Sequence, residues 1–196
     1  MDMHDALAQL RQVVMQIAPL SQEDWDAFAA IWSPFEAKRK TLLTTTGDTE
    51  RYLYFVIEGI QRIYYVKPDG KEATLLFTYA PSFGGVLDSF LMQRPSAYHL
   101  ETLTQSVFLR AHYNQWQALL QQHRAIEQLA QVAVVNAMSG LLRRMAELQC
   151  FTAEERFKAL LSRSPHVLRL IPHKYLANYL ALDATTFSKL LGTVRL

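Results

Sequence analysis

One cysteine, Cys150, serves the whole chain of 196 residues. A disulfide within the chain, a cysteine-held iron–sulfur cluster and a cysteine-based zinc site are therefore excluded. The six histidines (His4, His99, His112, His123, His166 and His173) show no ligand spacing such as H-x-x-x-H. Only seven glycines are present, and no Gly-rich phosphate loop or nucleophile elbow is built from them. An enzyme is accordingly the weakest functional class, and the scattered Asp and Glu read as surface charges rather than acid/base pairs. No apolar run approaches the roughly 20 residues of a membrane span. Residues 1–30 carry acids in a broken apolar pattern, unlike a signal-peptide core. The expectation is a cytoplasmic protein in a reducing setting, with no membrane partner, no metal and no cofactor.

Charge of one sign is also scarce, since the net charge is +2. Its distribution is more informative. From Arg143 onward nine Lys/Arg (Arg143, Arg144, Arg156, Lys158, Arg163, Arg169, Lys174, Lys189, Arg195) face four acids (Glu147, Glu154, Glu155, Asp183), leaving residues 1–142 at −3. A cationic end suits a phosphate-binding module. A solvated helical surface would show the same excess.

Half of the residues are hydrophobic, enough for one large domain or two modest ones. Residues 4–17 carry Leu7, Leu10, Val14 and Ile17 at helical spacing, and Ser21 with Asp24 caps a second helix through Ile31. From Arg39 the pattern turns extended. Lys40–Thr46, Tyr52–Ile57, Ile60–Val66, Lys71–Tyr79, Ala97–Leu103 and Val107–Ala111 read as strands. Lys67-Pro68-Asp69-Gly70 makes a hairpin turn, Pro81–Gly85 a loop and Val86–Leu91 a short helix. Short strands at this spacing indicate a β-barrel or sandwich of roughly seven or eight strands.

Beyond Tyr113 the chain reads as helical: Asn114–Gln122, then about Ala125–Leu148, then a helix capped by Thr152. The long helix is apolar on two tracks, Ile126, Leu129, Ala133, Ala137, Leu141 and Leu148 on one and Val134, Met138, Leu142 and Met145 on the other. So wide an arc buries two sides, either against a second copy of the chain or wholly within one. In the last segment Pro172 suits a first helical turn, and Tyr175, Leu176, Tyr179 and Leu180 form one apolar face. Asp183 is the next N-cap, followed by Phe187, Leu190, Leu191 and Val194. Two short helices joined at Ala181–Asp183 read as a helix-turn-helix, or else as a helical hairpin closing a small domain.

That order of parts, with Tyr52-Leu53-Tyr54-Phe55-Val56-Ile57-Glu58-Gly59, Pro68-Asp69-Gly70-Lys71-Glu72, Phe83-Gly84, Ala153-Glu154-Glu155-Arg156-Phe157 and Leu176-Ala177-Asn178-Tyr179-Leu180, resembles the CRP/FNR family of transcription regulators. The resemblance covers nearly the whole chain. It implies an α+β fold: an N-terminal double-stranded β-roll (a cyclic-nucleotide-binding-like jelly roll), a long dimerisation helix and a C-terminal helix-turn-helix domain. The corresponding division is residues 1–122 for the sensor roll with its N-terminal helices, 123–148 for the dimerisation helix and 149–196 for the DNA-binding domain. The partners it implies are double-stranded DNA, a second copy of the chain and an unknown small-molecule effector.

Members that bind cyclic AMP carry Phe-Gly-Glu-Leu and Arg-Ser/Thr-Ala, the Glu on the ribose and the Arg on the phosphate. This chain instead has Phe83-Gly84-Gly85-Val86 and Pro95-Ser96-Ala97. A buried phosphate without its cation is unfavourable, and Arg94 is one residue out of register on an extended segment. Cyclic AMP is not expected, and any effector pocket would lie at Phe83, Gly84, Gly85, Val86, Ser96 and Ala97. His99 and His112 are the candidates for a haem ligand, against the commoner structural role. Cys150 could crosslink subunits, against the commoner inert thiol.

The same resemblance maps DNA contacts to Ala184, Thr185 and Lys189 for bases and to Thr186 and Ser188 for phosphates, with Lys174 as a further cation. Three departures follow. Ala181 replaces the usual turn glycine, at about 1 kcal/mol if it must be left-handed. Lys189 replaces an Arg and lacks its bidentate fork. Gly192 is expected to end the helix early, with no charge again until Arg195. The alternative function is a ligand- or protein-binding module whose DNA-binding domain has degenerated.

Overall fold

A computed structural model describes residues 2–194. The chain divides into two compact units: one comprises residues up to Ile63 together with Phe77–Asn136, the other Tyr64–Leu76 together with residues from Ala137 on. The elements run α1 (Met3–Ile17), α2 (Gln22–Ala30), β1 (Trp32–Ala37), β2 (Leu42–Thr44), β3 (Tyr52–Glu58), β4 (Ile60–Val66), β5 (Glu72–Tyr79), β6 (Ser82–Gly84), α3 (Leu87–Met92), β7 (His99–Thr102), β8 (Ser106–His112) and α4 (Tyr113–Gln122). They continue as α5 (Arg124–Cys150), α6 (Ala153–Arg163), α7 (Val167–Leu170), α8 (His173–Tyr179) and α9 (Ala184–Thr193).

The strands form two four-stranded sheets, ordered β1-β8-β3-β6 and β2-β7-β4-β5. In the first, β8 pairs antiparallel with β1 and β3, and β3 with β6. The run Leu53-Tyr54-Phe55-Val56 in β3 is buried at every position, because its alternate side chains enter two different apolar clusters. Phe55 joins Trp25, Phe28, Trp32, Leu109 and Trp116 beneath the helices. Tyr54 and Val56 face the roll interior with Val86, Leu100 and Phe108. Gln61 ties the two sheets, donating to Ser106 Oγ and accepting from Thr78 Oγ1, each at 2.9 Å. Gly59 sits at φ +93°, where a Cβ would fall 2.4 Å from Ser106 Oγ, so no other residue fits between β3 and β4.

Three elements differ from the sequence expectation. Strand β1 lies between the expected end of the second helix at Ile31 and the expected start of the extended pattern at Arg39; it is an edge strand, where Pro34 is tolerated. Strand β6 lies inside the expected Pro81–Gly85 loop, pairing Phe83 with Phe55. The four-residue α7 is too short to show a period. Helix α5 also corrects the expectation about apolar length. With 27 residues and a mean hydropathy of 1.2 over its most apolar window, it is long and apolar enough to cross a membrane by length and composition. Ile126 and Leu129 in its first turns are buried, whereas Val135, Met138, Leu141 and Leu142 are 53–57% exposed.

Candidate nucleic-acid interface

The C-terminal helices are seated by a small apolar core. Phe157, Leu160, Leu161, Val167, Ile171, Leu176, Leu180 and Phe187 are all buried. Helix α6 begins with a reciprocal capping box, in which Thr152 Oγ1 accepts from the Glu155 N–H and the Glu155 carboxylate accepts from the Thr152 N–H. Phe187 of α9 meets Phe157 edge-on with centroids 5.5 Å apart, and His173 lies against its ring at 5.5 Å. Pro172 precedes the first residue of α8 as its N-cap. Between α8 and α9 the Ala181 N–H donates to the Asn178 carbonyl and the Leu182 N–H to the Ala177 carbonyl. Ala181 takes φ +53°, the left-handed conformation whose cost the sequence already implies.

Asp183 then caps α9. Its carboxylate accepts the Thr186 backbone N–H at 2.8 Å and the Thr186 hydroxyl at 2.6 Å. These two bonds, the hydroxyl's the larger, hold the Asp183 carboxyl below its ordinary range. With Phe187 turned inward, Ala184, Thr185, Ser188 and Lys189 are exposed, and Lys174 is exposed on α8 with its Nζ 4.7 Å from the Tyr175 ring centroid. Thr186 is half-buried. Its hydroxyl proton serves the cap, so it meets a phosphate oxygen only by releasing Asp183. Gly192 does not end α9, which continues to Thr193 with open space around Gly192. Arg195, counted in the positive excess, lies outside the described residues.

That excess is smaller at the surface than in the sequence. Arg163 makes a two-point pair with Glu147, a carboxylate only 4% exposed. Arg144 stacks on the Tyr179 ring at 3.9 Å and donates to the Tyr179 carbonyl. Arg156 donates to the Leu148 carbonyl, and Lys158 pairs with Glu154 at 2.6 Å. Arg143, Arg169, Lys174 and Lys189 are exposed and make no ion pair among the described residues.

Two residues that sequence reasoning passed over hold α8 in place. Asn178 meets the outer edge of β5 as a backbone amide would: its Oδ1 accepts from the Thr74 N–H at 2.5 Å and its Nδ2 donates to the Glu72 carbonyl at 2.9 Å. The other is Arg144. The one signal for Asn178 was an amide beside the apolar stripe of α8. For Arg144 there was none.

On the sensor side, Phe83, Gly84 and Gly85 are half-buried, Val86 and Ser96 are buried and Ala97 is exposed. The structure does not leave these groups waiting. Ser96 bonds Tyr98 through its hydroxyl and the Gly47–Asp48 backbone through its own. The neighbouring interior is packed with Tyr54, Phe35 and Phe108, and the Arg110 guanidinium lies 4.2 Å from the Phe35 centroid and 4.4 Å from that of Tyr52. His99 lies with its Nε2 3.1 Å from Thr46 Oγ1, and His112 caps α4 by accepting the Asn114 N–H. Cys150 is exposed at the end of α5.

Residues 34–123 match the family model described as Cyclic nucleotide-binding domain. No curated protein sequence matches the chain. Among solved structures, FixK2 from Bradyrhizobium japonicum is 16% identical, with a TM-score of 0.72 over 83% of each chain. The c-di-GMP-responsive global regulator CLP from Xanthomonas campestris is 19% identical, with a TM-score of 0.65 over 88% of this chain and 90% of its own. The catabolite activator protein of Thermus thermophilus is 20% identical, with a TM-score of 0.57 over 92% of this chain and 89% of its own.

Proposed function

We propose that this chain, built on the fold of the CRP/FNR-type transcription regulators, is itself a DNA-binding transcription regulator, cytoplasmic and homodimeric, rather than an enzyme. Residues 1–122 act as the sensor, 123–148 as the pairing helix and 149–196 as the reading head. The observation that carries this reading is the setting of α9. A capped, anchored helix buries Phe187 and presents Ala184, Thr185, Ser188 and Lys189 to solvent at its N-terminal end. In a helix-turn-helix that end enters the major groove, where a Thr reaches a base edge or thymine methyl and a Lys reaches guanine. Lys174 and Lys189 supply charge for phosphates. Regulation is a shift of population between dimers whose two heads do and do not match the half-site spacing. The sensor does not answer to cyclic AMP.

Gel-shift titration with promoter duplex tests this reading. The expected result is salt-sensitive binding, selective over random duplex. Lys189→Ala weakens it, and if Lys189 meets a phosphate the log–log salt slope falls by about 0.9. No salt-sensitive binding to any duplex sinks it. The second reading, a ligand- or protein-binding module with a degenerate head, is favoured by one observation: Arg144, Arg156, Lys158 and Arg163 are engaged within the protein. Retention of neither promoter nor random duplex would support that alternative.

A further inference from the structure

Arg110 is a cation that the roll holds without a counter-ion. It lies on the inner strand β8, whose neighbours β1 and β3 place Ser33 and Tyr54 opposite it. Residues two apart on a strand share a face, so Arg110 stands on the side of Phe108, toward the roll interior. Its guanidinium lies over two rings from the flanking strands, 4.2 Å from the Phe35 centroid and 4.4 Å from that of Tyr52. Those rings are held in turn: Phe35 stacks on Phe108 at 6.0 Å, and Tyr52 meets His112 edge-on at 5.3 Å. Ring faces stabilise the charge but satisfy none of the five N–H donors. Arg110 Nε is buried with no hydrogen-bond partner, and among the described residues the guanidinium makes no hydrogen bond or ion pair. The acid that borders Tyr52 does not supply one. Glu50 is buried, and its carboxylate accepts from the Thr44 hydroxyl and the Tyr52 N–H.

The same aromatic wall borders the segment that lacks a phosphate cation. Gly85 backs onto both tyrosines: a Cβ there would lie 3.3 Å from the Tyr52 carbonyl oxygen and 3.7 Å from the Tyr54 ring. Val86 packs in one cluster with Tyr54 and Phe108. Pro95 leaves that segment without its own arginine, and β8 brings an unpaired one to the neighbouring rings. We propose that Arg110 is an anion-binding residue of the roll, whose Nη edge takes a carboxylate or phosphate group of a small effector in a two-point contact. The guanidinium is half-buried, with Nε covered and its faces on the rings, so the Nη edge is the part left to meet a ligand. Stacking also fixes the fork in advance, so little side-chain freedom is lost on binding. This inference rests on the sensor role proposed for residues 1–122, and not on DNA binding. Its test contains no DNA, so its failure and the failure of the gel-shift reading are distinguishable.

The experiment is an NMR titration of the full chain with sodium phosphate and, separately, sodium acetate, each against sodium chloride at matched pH and ionic strength. It is read at the Arg110 Nε–H signal and at the ring protons of Phe35 and Tyr52. Wild type shows saturable shifts of these groups with at least one of the two oxyanions and only a linear drift with chloride. Response to phosphate alone assigns a phosphorylated effector class, and response to acetate alone a carboxylated one. Arg110→Met keeps an unbranched stem against the rings without the charge, and it loses the saturable shifts at Phe35 and Tyr52. No saturation with either oxyanion overturns the proposal, as does the same ring response in Arg110→Met. Where Arg110→Met fails to fold, Arg110→Lys keeps the charge without the fork. Its affinity for the oxyanion falls by about tenfold, and an unchanged affinity overturns the two-point contact.

Discussion

Gly85 occupies the position where a cyclic-AMP-binding motif would place a glutamate, and its backbone explains why adding that side chain alone is not enough. It sits at φ +122°, and a Cβ there would lie 3.3 Å from the Tyr52 carbonyl oxygen. A side chain is therefore strained whatever its chemistry. Gly85→Glu is expected to lower stability by about 1–3 kcal/mol without conferring cyclic-AMP binding. Denaturant unfolding and titration calorimetry check the two halves of that statement. A stable variant that binds the nucleotide would show that only the side chain was missing. Ala181 carries strain of the same kind in the helix-turn-helix, and there the sequence announces it, because the turn is local and its length leaves few conformations. Glu50 carries no such announcement. Its partners Thr44 and Ser89 are brought together only by the roll, so an isolated acid before a β-run reads as surface.

Helix starts were the most legible elements. Ser21, Thr152 and Asp183 each accept the N–H three residues on, a bond made within one turn and visible as a residue type at a fixed offset. Strands β1 and β6 were hidden because their partners are distant, and Pro34 and the Gly84-Gly85 pair mimic turn chemistry. Gly192 misled for the opposite reason. An exposed glycine near a helix end lowers stability by about 1 kcal/mol and need not stop the helix. The Asp183 cap carries a pH prediction with a definite sign. Its folded-state pKa lies below the ordinary carboxyl range, held there by the Thr186 hydroxyl and then the Thr186 N–H. The stabilisation is therefore present above the unfolded value and is lost as pH falls through the lowered folded value. Acid should open the first turn of α9, seen as lost exchange protection at the Thr186 amide. Asp183→Asn, which caps without titrating, should abolish that pH dependence. A Thr186 amide equally protected at low pH in the native protein would refute it.

At the scale of the whole molecule, α5 carries an apolar face that a single chain leaves exposed. Val135, Met138, Leu141, Leu142 and Met145 are each about half exposed on one chain, a contiguous apolar surface of the kind that marks an interface. Sequence periodicity showed that the helix is apolar on two sides, and could not tell a second copy from the chain's own core. The core takes up Ile126, Leu129 and Ala130, near the start of the helix. A two-fold pairing along α5 would make each contact twice, since the same patch serves both chains. It would also place two reading heads on one duplex, where the second half-site is met at an effective concentration that raises affinity by roughly 10²–10⁴. Met138→Glu with Leu142→Glu puts charge one turn apart on that surface. The expected outcome is a wild type that sediments as two chains and a double variant that sediments as one, with helicity unchanged and promoter affinity lowered by more than about tenfold. Because α5 also meets the length and composition of a membrane span, flotation with lipid vesicles belongs to the same experiment. Wild type that floats, or that sediments as a single chain at micromolar concentration, removes the dimer and with it the two-head arrangement on DNA.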